Sequence, residues 1–249
     1  MMKKLGLIGV IMVLVFGLTV AVGASGVLKV GTNAAFPPFE YVDEKTGEYT
    51  GFDMDLIRAV GAEAGYTVKI IDVAWEGIIP GLLVGNYDVI ASAMTITEER
   101  KQSVNFSDPY FNAEQVILVP IKDNSIKGPS DLRGKAVSVQ LGTTGDFVAS
   151  DLKGLKKVAR FGEVTDAIQE MINGNVAGVI CDNLVAIMYI QENPGKAKIV
   201  PGSFFEPEYY GFAINKKNTE VLDKVNAALA TLKANGTYDR IYNKWFGTN

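Results

Sequence analysis

Several short stretches of this sequence hold residues whose types and spacing suit the grip of a small charged molecule. In SAMTITEERKQSVNFSDPYF, Arg100 lies on a short segment whose helical start is marked by Thr95 and Thr97. A guanidinium and free backbone amides at that point could converge on one small anion. The competing reading is a solvated face made of Glu98, Glu99, Arg100 and Lys101, and charge pattern alone favours it. In VSVQLGTTGDF, a turn containing Thr143 and Thr144 joins a predicted strand to a predicted helix, which exposes amide donors at a helix start or is a plain connection. No lysine follows its glycines, so it is not a Walker loop, and it is not a dinucleotide fingerprint either. Asp182 ends a predicted strand and suits either an ammonium or the N-cap of the next helix. In GTNAAFPPFEYVDEKTGEYTGFDMDL, aromatics surround the single carboxylate of Glu40. Phe36 there, and Trp75 further on, fall in loops just after predicted strands, where each could stack on an aliphatic stem or a guanidinium, or cover a core.

Composition removes other chemistries. The chain has no histidine, so the commonest general base, the Ser/His and Cys/His pairs and most zinc sites are absent. Catalysis would fall to carboxylates, lysines or tyrosines, no paired set of which is evident; the expectation is a protein without catalytic activity, cofactor or metal. The net charge is −4, and the basic residues form no stripe, which argues against nucleic acid. Lys3 and Lys4 precede an uncharged apolar run over 5–22 and small residues at 22–24, the pattern of a secretory signal peptide cleaved after about Ala24. An uncleaved anchor is the alternative. Cys181 is the only cysteine, so an exported chain carries no internal disulfide and no lipid-attachment cysteine after the signal; a freely diffusing periplasmic monomer is expected.

The elements that must position these residues alternate between strand-like runs and helix-period segments, the pattern of an α/β fold. Strands are predicted at 27–32, 67–72, 89–92, 136–139, 156–161 and 178–181, with a further apolar run at 115–120. Helices are predicted at 53–64, 76–84, 98–104, 145–151, 164–173 and 183–191, and a long helical stretch at 218–245 stops at Asn235-Gly236. The segments LLVGNYDVIASA and MINGNVAGVICD echo each other: a helix end, a Gly-Asn turn and a short buried strand. Aligned on that turn, Ser92 and Ala93 correspond to Cys181 and Asp182, which implies two similarly built lobes with both polar strand ends facing one cleft.

Taken together, GTNAAFPPFEY, GFDMDL, GIIPGLL, ASAMTITEERKQSVNFSDPYF, LGTTGD and LKANGTYDRIYNKWFG resemble the family 3 extracellular solute-binding proteins, the polar amino acid receptors of ABC importers, over essentially the whole chain after the signal. The resemblance implies a periplasmic-binding-protein type II fold, two α/β lobes joined by a two-strand hinge. The first lobe would comprise 27–109 and 211–249, the second 114–205, with crossings at 110–113 and 206–210. It further implies that Arg100 forks the ligand α-carboxylate, aided by Thr95 and by amides around Ser92, Ala93 and the Thr143 and Thr144 turn. Asp182 would take the α-ammonium, and Phe36 and Trp75 would sandwich the side chain.

Specificity would then rest on Asn33, Glu40 and Gln140. Here the chain departs from familiar patterns: many receptors for basic amino acids carry aspartate at the position of Asn33, and comparable glutamine receptors often carry lysine at Gln140 and histidine at Cys181. Glu40 with Gln140, the aromatic pair and Asp182 resemble arginine receptors more closely. The reading is arginine first and glutamine second, ahead of lysine, histidine or cystine, with delivery to an ABC permease. Two rivals are a secreted cyclohexadienyl dehydratase on the same fold, which the Arg100 and Asp182 pair argues against, and a receptor serving a chemosensor.

Overall fold

The computed structural model describes residues 26–247. The expected signal peptide lies outside the described residues. Among the described residues, no helix is long and apolar enough to cross a membrane.

The chain begins with β1 (Gly26–Thr32), then three short strands, β2 (Ala35–Phe36), β3 (Glu40–Val42) and β4 (Tyr49–Thr50), that form a small antiparallel sheet. Helix α1 (Phe52–Glu63), β5 (Tyr66–Asp72), α2 (Ile78–Leu83), β6 (Val89–Ile90), α3 (Glu98–Lys101) and β7 (Val104–Phe106) follow. The long strand β8 (Phe111–Pro120) crosses to the second lobe, which holds β9 (Ala136–Gln140), α4 (Thr144–Asp151), β10 (Lys157–Phe161), α5 (Val164–Ile172), β11 (Gly178–Asp182), α6 (Asn183–Glu192) and β12 (Ala197–Ile199). Strand β13 (Pro207–Tyr210) returns, and β14 (Ala213–Asn215), α7 (Thr219–Ala234) and α8 (Thr237–Phe246) complete the chain.

Each lobe is built on one sheet, ordered β5-β1-β6-β14-β7 in the first and β10-β9-β11-β8-β12 in the second. In both orders the second strand pairs in parallel with the first and third, and the fourth is antiparallel to the third. Helices lie on both faces because the central strands are apolar on both sides: β11 is buried along its whole length, whereas the edge strand β5 alternates. The helices show why they pack. Val164, Ala167, Ile168 and Met171 on α5, and Val225, Ala228, Leu229 and Leu232 on α7, are buried at one-face spacing.

Residues 111–114 of β8 pair with β13, while 115–120 pair with β11 and β12. The two crossings thus form an antiparallel ribbon, braced by T-shaped contacts of Phe39 with Phe111 at 5.0 Å and Tyr210 at 5.2 Å.

Two local expectations are corrected. The helix predicted at 98–104 ends at Lys101, because Val104 and Phe106 enter the sheet beside β14. Phe36, expected in a loop, lies in β2 opposite Glu40, a pairing too short for periodicity to reveal.

Candidate functional site

Between the lobes lies a narrow, partly enclosed pocket, bounded by the carboxyl ends of the central strands. Asn33 follows β1, Ser92 and Ala93 follow β6, Gln140 ends β9, and Asp182 ends β11; all five line it. Phe36, Glu40, Trp75, Thr95, Arg100, Thr143 and Thr144 line it too, so the twelve residues selected from the sequence surround one space.

Arg100 is 7% exposed, which removes the solvated-face alternative; that description fits its neighbours Lys101 and Glu98, which pair with each other at the surface. Thr97 caps α3, its hydroxyl accepting from the Arg100 amide at 3.1 Å. The guanidinium donates from Nη1 to the Thr95 carbonyl at 2.8 Å and from Nη2 across the cleft to the Gly142 carbonyl at 3.2 Å. Gly142 has φ +73, a backbone state glycine adopts freely, and this turn aims its carbonyl at Arg100. The Trp75 ring sits 5.3 Å from the guanidinium carbon, so the indole faces the protein's own cation. Burial lowers the Arg100 pKa, while the charges of Glu208 and Asp182 oppose that shift.

On the facing lobe, the Thr143 hydroxyl caps α4 by accepting from the Asp146 amide at 3.3 Å. Asp182 occupies the N-cap position of α6 without capping it. Its carboxylate instead accepts from Tyr210 Oη at 2.9 Å and from Gln115 Nε2, and it is 8% exposed. Burial, and then the neighbouring charge of Glu208, push its pKa up to about 7. That combination is a carboxylate held ready for a cation.

The far end of the cavity has a definite polarity. Gln140 Nε2 donates to the Gly162 carbonyl at 2.9 Å and to Asn33 Oδ1 at 3.2 Å, and Asn33 Nδ2 donates across the cleft to Glu163 Oε1 at 3.1 Å. A carbonyl and a carboxylate only accept, so these partners fix both amide orientations. Gln140 therefore turns its carbonyl oxygen away from these two acceptors. Ser92 Oγ donates to Glu40 Oε1 at 3.1 Å, while Glu40 Oε2 is buried with no partner among the described residues. Glu40 is 1% exposed; burial first, then the charge of Asp53, raises its pKa well above the usual carboxylate value. Glu40 Oε2 and Glu163 Oε2 are buried acceptors with no partner among the described residues, and the second N–H of Asn33 Nδ2 is a donor beside them.

Several contributors were not evident from the sequence. Glu163 falls in an ordinary strand-to-helix connection, and Gln115 in what reads as an apolar strand. Glu208 and Tyr210 share a face of β13, a period-2 relation that pointed to Glu208 once Tyr210 is taken as buried. Asp53, fully buried, accepts from the Ala93 amide at 2.8 Å and from Tyr110 Oη at 2.5 Å, holding Ala93 at φ +43. That strained alanine turns the chain from Ser92 toward Thr95.

The profile of the bacterial extracellular solute-binding proteins, family 3, matches residues 28–248. A probable histidine-binding protein of Neisseria gonorrhoeae is 39% identical over 224 residues, 88% of this chain and 83% of that protein. The ABC transporter arginine-binding protein 1 of Escherichia coli K12 is 31% identical over 249 residues, 98% of this chain and 99% of that one. Among solved structures, an ancestral arginine-binding protein bound to arginine is 46% identical with a TM-score of 0.85, covering 90% of this chain and 100% of that one; one bound to glutamine matches at the same identity and score, with 90% and 99% covered.

Proposed function

The chain belongs to the bacterial extracellular solute-binding proteins, family 3, and from that premise we propose that it captures a free cationic L-amino acid, arginine first, between its lobes. Arg100 takes the α-carboxylate, Asp182 the α-ammonium, and Phe36 and Trp75 flank the side chain. The second lobe closes over ligand held by the first, and the closed form is delivered to an ABC permease of the membrane. In this reading a signal removed after about Ala24 exports the chain, which acts in the periplasm as a monomer. The role is capture without turnover.

The observation that carries this reading is the buried Glu40 Oε2 with no partner among the described residues. A guanidinium brings five N–H donors and no acceptor, which suits an end that offers acceptors. Glutamine brings an amide with one donor group and one acceptor, and needs a proton on Glu40 to meet its carbonyl. The raised Glu40 pKa makes that proton available, which accounts for glutamine as the second reading.

Proton linkage separates the two. Arginine binds ionised Glu40, so its affinity gains as pH rises through the Glu40 pKa; glutamine binds the protonated form and loses over the same range. Asp182 acts on both ligands alike and cancels in the ratio. Calorimetric titration of refolded, ligand-stripped protein with arginine, citrulline and glutamine from pH 5 to 8 tests this. Arginine should bind tightest, with an arginine-to-glutamine ratio that grows with pH and is flattened by Glu40→Gln. Citrulline or glutamine outranking arginine at pH 8 would overturn the cationic reading, and turnover of prephenate would overturn capture.

A further inference from the structure

We infer that Glu208, on the returning crossing strand, is a positioning residue that gives the cavity its ammonium seat, by turning the hydroxyls of Thr95 and Thr144 into acceptors. The inference rests on the zwitterion reading of the Arg100 and Asp182 ends, but not on the identity of the side chain.

Glu208 lies on β13 opposite Ala113 of β8. One of its oxygens, Oε2, receives Thr144 Oγ1 at 2.8 Å, Thr95 Oγ1 at 2.9 Å and Gln115 Nε2 at 3.2 Å. Thr95 belongs to the first lobe, Thr144 opens α4 of the second, and Glu208 stands on the ribbon between them. Backbone contacts make this reach possible. The Ile96 amide donates to the Tyr209 carbonyl at 2.8 Å and the Gly211 amide to the Met94 carbonyl at 3.1 Å, fastening the Thr95 segment to the crossing strand.

A threonine hydroxyl has one proton and two lone pairs, and a carboxylate only accepts. At these separations each threonine is the donor, so neither hydroxyl proton is free for a ligand carboxylate. Both threonines also line the cavity. What they present there is lone pairs, one of Thr144's two being already taken by Gln115 Nε2 at 3.1 Å, close to Asp182, whose own carboxylate is tied to Gln115 and Tyr210. Three acceptors then face the three N–H bonds of an α-ammonium, while the α-carboxylate is left to Arg100 and backbone amides. Because the two hydroxyls come from opposite lobes and meet on one oxygen, the seat is complete only when the lobes are together. Glu208 thus orients the zwitterion and ties that orientation to closure.

The test compares L-arginine with 5-guanidinopentanoate, which lacks the α-amino group, and with agmatine, which lacks the carboxylate, by calorimetry on wild type, Glu208→Ala and Glu208→Gln. In Glu208→Ala, the preference for arginine over 5-guanidinopentanoate should shrink by about tenfold or more, the scale of a lost charge-assisted hydrogen-bond arrangement. The preference for arginine over agmatine should hold. Glu208→Gln, which keeps the size and one acceptor oxygen, should move the same ratio in the same direction by less, and it decides the matter if the alanine variant does not fold. Equal shrinkage of both ratios would reduce Glu208 to a general structural role, and no change in either would remove it from the site. If wild type rejects arginine and binds glutamine, the cationic reading falls; glutamine against glutaramate, its desamino analogue, then tests Glu208 with the same expected collapse.

Discussion

The two lobes share one strand order and arm the cavity with opposite chemistry. In each, a parallel trio of strands is followed by an antiparallel strand, β14 in one and β8 in the other. They diverge just past the third strand. In the first lobe the chain leaves β6 through Ala93 at φ +43, held by buried Asp53, and reaches Arg100 by an irregular path. In the second, β11 runs directly into α6 with Asp182 at the junction. An irregular exit leaves room for a long cationic side chain to turn back on the cleft. A direct exit fixes a short carboxylate at the strand end. A zwitterion needs one of each, and duplication of a lobe alone would supply two of the same.

Four changes would break or sharpen that contrast. The largest effect is expected for Arg100→Ala, which removes the buried cation of the first lobe; calorimetry should show every amino acid ligand weakened by about 1,000-fold or more, on the scale of about 4 kcal/mol for breaking a buried charge pair. Asp182→Asn keeps the shape and an acceptor in the second lobe, so a smaller loss, about 10- to 100-fold, is expected. Retained tight binding in Arg100→Ala, or a larger loss in Asp182→Asn, would invert the assignment of the two ends.

The third test uses pH. Asp53 in the first lobe and Asp182 in the second both have pKa values pushed up to about 7 from 3.8, chiefly by burial. Between about pH 4 and 7 the native state binds more protons than the unfolded chain, so this contribution is full below pH 4 and is lost as pH rises to 7. The loss is on the order of 1 kcal/mol per pH unit per group. Thermal melts of ligand-free protein should fall over that range. Asp182→Asn should remove part of the slope and leave the part due to the other raised carboxyls, Asp53, Glu40 and Glu163. A slope unchanged by the substitution would deny Asp182 its raised value.

The smallest effect belongs to the turn itself. Ala93→Gly relieves the left-handed strain but loosens the unfolded chain, so stability should stay within about 1 kcal/mol of wild type in denaturant unfolding. A large loss would mean that the Ala93 methyl packs in a way its backbone does not reveal.

Much of this was legible along the chain. Apolar periodicity marked the strands and helices, and paired Gly-Asn turns marked the likeness of two segments that prove to be α2 with β6 and α5 with β11. The short motifs located the cavity-lining residues, since strand ends followed by turns are where an open sheet presents side chains. Other features left too weak a trace. Strands β2 to β4 have two or three residues each, below the length at which alternation can be seen. Trp75 facing Arg100, and Glu163 bonded to Asn33, are pairings between segments far apart in sequence.

By itself, then, the sequence determined the α/β class, the family resemblance and the absence of histidine chemistry, because these follow from composition and local period. Only the tertiary structure decided the donor and acceptor polarity of the cavity. That polarity depends on which proton each amide and hydroxyl gives away, and the receivers, Gly162 for Gln140 and Glu208 for Thr95 and Thr144, come from elements that folding alone brings within 3 Å.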